Sequence, residues 1–222
     1  VLCGDRMLAV VVVSGATLAA QTHVPSAPLA VSIAALTLGW LAVSAIRGAQ
    51  RRADLRALGW ATGVGAVLWI PPIVDQVRRD PGNIRMLLDH FGTPREDPIG
   101  FGSGARILLR HLDVGDALAG LLWRSDSFIV VSGRAYEGGF EPSLLVGGAV
   151  LVLFVVSIVH AWRHHLVDLL RLQVVASVAL LVGLFSMTRI FGTIWYYLTL
   201  WAWSTMLLVL VSIGWATVDA WR

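Results

Sequence analysis

The chain has 222 residues, of which 57% are hydrophobic and 14% charged, with a mean hydropathy of +0.75. That apolar share exceeds what soluble domains carry and marks an integral membrane protein. The net charge of +3 comes without a basic stripe of interleaved aromatics, which excludes nucleic-acid binding, and the single cysteine, Cys3, excludes an internal disulfide framework or a cysteine-based zinc site.

All seventeen basic residues are arginine, and Asn83 is the only asparagine. With abundant alanine, glycine, valine and leucine, this reads as the codon bias of a GC-rich genome. An apolar run begins almost at once after Val1, without the three regions of a signal peptide, so the expectation is a piece of a longer polytopic protein.

Six apolar stretches follow, and the fold class expected is all-α, a polytopic transmembrane bundle. The first covers residues 7–20 and is short for a bilayer core that asks for about 20 residues. A polar turn, Gln21-Thr22-His23-Val24-Pro25, leads to the second at 28–46. Arg47, Arg51, Arg52 and Arg56 come next with only Asp54 against them, which makes this turn cytoplasmic by the positive-inside rule. The third stretch, 57–74, is expected to run outward and end around Trp69-Ile70-Pro71-Pro72. Residues 75–143 then form an extracytoplasmic loop with ten acids and eight arginines. The fourth, fifth and sixth stretches are 144–162, 172–187 and 194–216. The organisation expected is therefore three spans, a loop carrying interfacial helices, and three further spans.

Ionisable side chains lie only near the ends of these spans, with His160 toward the cytoplasm and Asp75 and Arg189 on the outer side. An ion pump places such groups near the midplane, so the pattern argues against one. The neighbours His164 and His165 lack the i, i+4 spacing by which a helix presents two ligands to one metal. No metal site is expected.

The loop carries the polar chemistry. Asp80-Pro81 reads as a helix start, with Asp80 capping and Pro81 in the first turn. Ile84, Leu87, Leu88 and Phe91 follow at i, i+3, i+4 and i+7, the pattern of a helix lying in the interface plane. It either covers the bundle or shapes an entrance for a lipid substrate. Gly100-Phe101-Gly102-Ser103-Gly104 lacks both the Gly-Lys-Ser/Thr and the preceding strand of a phosphate loop and reads as a turn. From Ala105 to Leu112 a second amphipathic stretch sets Arg106 and Arg110 on one face, where they are suited to a phosphate or to pairing with Asp113, Asp116 or lipid headgroups. Trp123-Arg124-Ser125-Asp126 and the residues from Ser132 to Gly139 suit a sugar-facing loop or any exposed one. Arg189, followed by Tyr196, Tyr197 and Trp201, is either an interfacial anchor or a guanidinium level with a lipid phosphate.

Three patches resemble the C-terminal half of large actinobacterial membrane glycosyltransferases of the GT-C class, which includes mannosyltransferase-like and arabinofuranosyltransferase-like enzymes. They are Gln21-Thr22-His23-Val24; Trp69-Ile70-Pro71-Pro72-Ile73-Val74-Asp75-Gln76 with Gly82-Asn83-Ile84; and Thr188-Arg189-Ile190-Phe191-Gly192 with Tyr197-Leu198 and Trp201. The resemblance implies sugar transfer from a polyprenyl-phosphate donor to a glycan or lipid acceptor at the outer face of a bacterial plasma membrane. The acidic catalytic residues of that class sit in a first outer loop. No stretch of this chain matches them, so the catalytic residues are unassigned and are expected upstream of Val1.

On this reading Arg189, Arg106 and Arg110 hold the donor phosphate. Asp75, Gln76, Asn83, His23 and Tyr197 are the substrate-loop candidates; Asp75, Gln76 and Asn83 either orient sugar hydroxyls or hold the loop against the bundle, and Asp75 is equally a structural cap. No cofactor is assigned. The competing readings are a transporter or flippase for a lipid-linked solute, a polysaccharide polymerase acting through outer-loop arginines, and a non-catalytic membrane subunit.

Overall fold

The computed structural model describes residues 4–48, 50–115, 142–192, 194 and 196–222. Among them every regular element is helical. They are α1 (Leu8–Thr22), α2 (Ala27–Arg47), α3 (Arg51–Arg78), α4 (Asn83–Gly92), α5 (Gly100–His111), α6 (Pro142–Arg163), α7 (Val167–Thr188) and α8 (Ala202–Ala220). Short 3-10 turns at Val24–Ser26 and Tyr196–Thr199 precede α2 and α8. Five helices, α2, α3, α6, α7 and α8, are long and apolar enough to cross a membrane, and α1 is a shorter apolar helix. The chain is an all-α, multi-pass membrane protein. It divides into two compact units, Val1–Arg95 and Glu96–Arg222, so the long polar loop is shared between them.

In the first unit α1 packs against both α2 and α3. Its core is built from Ala9, Val13, Leu41, Ala57 and Ala61, with Val10, Ala34, Leu38 and Leu58 packed around them. The small residues on α1 and α3 let the two backbones approach, which is how helices associate in lipid, where apolar burial supplies little drive. At one end of the unit Asp54, at the start of α3, is buried. It accepts hydrogen bonds from Arg6, just ahead of α1, and from Ser44 Oγ of α2 at 2.8 Å. One carboxylate thus ties three helices together. At the other end α3 does not stop at its proline pair. It continues through Pro71 and Pro72 to Arg78.

That continuation corrects the expected end near Pro72, and its physical reason is a bond from a neighbouring helix. Pro72 has no N–H for the carbonyl of Leu68, four residues earlier, the loss that ordinarily breaks a helix. Gln21 Nε2 donates to that same carbonyl at 2.9 Å.

In the second unit α6, α7 and α8 pack together, and α5 crosses their ends. Gly104 of α5 lies against the last residue of α7: a Cβ there would sit 2.9 Å from the Thr188 backbone nitrogen. Farther along α5, the Leu109 carbonyl lies against Gly147 of α6, and the His111 ring meets Trp203 of α8 edge-on at 6.0 Å. The buried face of α5 is Gly104, Ile107, Leu108 and His111, spaced i, i+3, i+4 and i+7. The glycine-rich stretch expected to turn is therefore helical. Packing bears on it at Gly104, where only a small residue lets α5 close on the end of α7.

Deeper in the unit, Gln173 Nε2 of α7 donates to Ser157 Oγ of α6 at 3.1 Å, both side chains being buried. At the end away from α5, His160 Nε2 of α6 lies 3.0 Å from Asp219 Oδ2 of α8, with His164 stacked at 4.4 Å. The last span also starts later than expected. Tyr196–Thr199 is a 3-10 turn, and α8 begins at Ala202.

Candidate functional site

The candidate residues fall into two groups, one in each unit. In the first, the end of α3 and the start of α4 are knitted by side chains. Asp75 Oδ2 accepts the backbone N–H of Asn83 at 3.2 Å, and Gln76 Oε1 accepts that of Arg85 at 3.0 Å. Asp75 Oδ1 also pairs with Arg79 Nε at 3.0 Å, one turn on. These are two of the first N–H groups of α4, which have no partner inside the helix.

The cap expected from Asp80 is thus supplied instead from the preceding helix. Asp80 lies outside α4 and pairs with Arg85 at 3.7 Å. Gly82 is the residue where the two segments touch, since a Cβ there would lie 2.6 Å from the backbone of Gln76. The side chain of Asn83 is exposed, and its backbone does the bonding. Ile84 is half-buried, whereas Leu87, Leu88 and Phe91 are exposed, so the apolar face of α4 is turned outward. That is the arrangement of a helix that rests on lipid.

His23 closes α1. Its N–H bonds the Ala19 carbonyl at 3.0 Å, and its own carbonyl accepts both the N–H and the Oγ of Ser26, at 2.9 and 2.7 Å. Two of the sequence patches, one around Gln21 and His23 and one around Trp69 to Asn83, therefore meet at a single end of this unit. The bond from Gln21 to the Leu68 carbonyl makes the joint.

In the second unit, the turn after α7 pairs with the segment leading into α5. Ile99 N–H donates to the Ile190 carbonyl at 2.9 Å, Gly192 N–H to that of Asp97 at 3.4 Å, and Pro98 and Phe191 form an antiparallel bridge. Arg189 occupies this turn with its side chain exposed. Arg106 and Arg110 are half-buried and lie away from the Gly104 face of α5, as the helical period requires. Arg106 and Arg189 make no ion pair or side-chain hydrogen bond among the described residues. Tyr197 lies in the 3-10 turn, 52% exposed.

His111 was not singled out from the sequence. Burial pushes its imidazole down to about 4, against a partial rise from the bond between Nδ1 and the Ile107 carbonyl at 2.8 Å and a further lowering by Arg110. The signal was present in the period, because His111 stands at i+7 on the face that Gly104, Ile107 and Leu108 form at i, i+3 and i+4. The pairing of 97–99 with 190–192 left no such signal, since one short bridge carries no hydrophobic alternation.

Among the described residues no group of three or more histidine, cysteine or carboxylate side chains is placed to hold a metal ion. Trp123 to Asp126, Ser132 to Gly139, and Asp116 lie outside the described residues. Comparison of the chain with protein-family models, with curated proteins and with solved structures finds no match in any of the three.

Proposed function

We propose that this chain is part of a membrane glycosyltransferase of the GT-C kind, which moves a sugar from a polyprenyl-phosphate donor to a glycan or lipid acceptor of a bacterial cell envelope. The observation that supports it is the placement of α5 across the ends of α6, α7 and α8. Arg106 and Arg110 ride on this helix, and Arg189 sits in the turn bonded to its leading segment. Guanidiniums at the end of a bundle of membrane-length helices suit a substrate whose phosphate lies at the membrane surface and whose prenyl tail lies in the bilayer.

The reaction is a displacement at the anomeric carbon. An acceptor hydroxyl oxygen bonds that carbon, the bond from carbon to the phosphate oxygen breaks, and the hydroxyl proton passes to a carboxylate. The electron pair of the broken bond stays on the polyprenyl phosphate, where positive groups stabilise the added charge. In this reading Arg189, Arg106 and Arg110 are the phosphate-holding groups, and no residue is assigned as the carboxylate.

The test is transfer of radiolabel from polyprenyl-phosphate sugars by membranes of cells expressing the protein, beside an Arg189→Ala variant at matched expression. Transfer by the wild type that is lost in the variant supports the reading. Absence of transfer from every donor by well-expressed wild type overturns it.

A further inference from the structure

The turn between α2 and α3 carries Arg47, Arg51, Arg52 and Arg56, all exposed, and none makes an ion pair or side-chain hydrogen bond among the described residues. Opposite charge is present in the sequence at Asp54, but the fold removes it. Asp54 is 1% exposed and is spent on Arg6 and Ser44. Asp5, the other acid at this end of the unit, accepts the N–H of Met7 at 3.2 Å. What faces outward is a cluster of four guanidiniums, with Asp5 as the one exposed carboxylate at this end of the unit among the described residues.

The apolar surface beside them fixes their depth. Ile46, directly before Arg47, is 84% exposed; Leu55, directly before Arg56, is 47% exposed; Trp60, one turn farther into α3, is 56% exposed. Both helices are long enough to cross a bilayer. Such side chains face hydrocarbon, with tryptophan at its boundary, so the arginines stand where hydrocarbon gives way to headgroups.

We propose that this turn is a binding site for the phosphate headgroups of anionic phospholipids in the adjoining leaflet. A guanidinium offers a phosphate two parallel N–H donors, and four of them spread over two helix ends span more than one headgroup. A soluble acidic partner would meet the same charge but would not account for apolar surface running straight into it. Sequestering Asp54 is part of the site: turned outward, that carboxylate would cancel one guanidinium and repel phosphate. The attraction expected is about fivefold in affinity for each arginine held at the membrane surface.

The experiment is native mass spectrometry of the intact protein in detergent, titrated with phosphatidylglycerol or phosphatidylcholine of the same chain length. Four proteins are compared. They are the wild type, a variant with Arg47→Gln, Arg51→Gln, Arg52→Gln and Arg56→Gln, a second with lysine at those four positions, and a third with Arg78→Gln, Arg79→Gln, Arg85→Gln and Arg95→Gln. The result expected is preferential retention of phosphatidylglycerol by the wild type, at least about tenfold lost in the first variant and largely kept in the other two. Equal retention of the two lipids by the wild type overturns the proposal, as does an unchanged preference in the first variant or an equal loss in the third. Tighter binding of a glutamate-rich peptide than of phosphatidylglycerol also overturns it and assigns the surface to a protein.

Discussion

The side-chain amide of Gln21 donates to the carbonyl of Leu68 at 2.9 Å, filling the place in α3 left empty by Pro72. One hydrogen bond from α1 thus stands in for one that the sequence of α3 cannot make. Replacing Gln21 by alanine strands that carbonyl at an exposed position. A loss of about 1 kcal/mol is expected, seen as a fall of a few degrees in the thermal midpoint in detergent. Pro72→Ala restores an N–H four residues from Leu68, so in that background Gln21→Ala costs much less. Equal costs in the two backgrounds would show that the amide does not serve the carbonyl.

The caps on α4 are separable from its apolar face. Gln76→Ala or Asp75→Ala removes one acceptor from the first turn of α4, at about 1 kcal/mol each. Amide exchange measured by mass spectrometry over Asn83–Gly92 should speed up in either variant, while exchange in α1 stays unchanged. Gly82→Ala is expected to act in the same direction, because its Cβ would meet the backbone of Gln76.

Arg6 and Asp54 form a pair in which one member is 27% exposed and the other 1%. Arg6→Leu leaves the Asp54 carboxylate with Ser44 as its remaining partner, and a clear loss of stability is expected. Changing both to leucine removes the uncompensated charge and should recover most of that loss. The check is chemical denaturation of the two variants beside the wild type. A double variant no more stable than Arg6→Leu would refute the account.

His111 makes stability depend on pH. Its imidazole titrates at about 4 when folded, against an ordinary value of 6.5. Between those values the unfolded chain takes up a proton that the folded chain refuses. Stability is therefore fully present above about pH 6.5 and is lost as the pH falls toward 4, by roughly 3 kcal/mol. Thermal midpoints measured from pH 7.5 down to 4 should drop in the wild type and change less in His111→Gln.

Hydropathy was enough to find the spans, because lipid exposure leaves little choice of residue over about 20 positions. The amphipathic periods of α4 and α5 were legible for the same reason, each being one-sided. Where these helices begin was not. Asp80 and Pro81 form a good local start, yet α4 starts at Asn83 because its caps come from Asp75 and Gln76. Gly100 to Gly104 reads locally as a turn but opens α5, and at Gly104 the approach of α7 admits only a small residue. Of the candidate site, the guanidiniums could be named from the sequence, but their surroundings could not. The turn holding Arg189 is bonded to residues more than ninety positions earlier.

Composition and period alone establish that the chain is helical, that it crosses a membrane repeatedly, and where its arginines gather. Those properties follow from the solvent each residue must face, a local matter of composition and period. The folded arrangement is needed to see which backbone groups are satisfied from a distance, as Leu68 is by Gln21, and which charges are spent inside the fold, as Asp54 is on Arg6. A hydrogen bond or an ion pair between distant helices depends on where the chain brings them, and no local pattern of residues carries that.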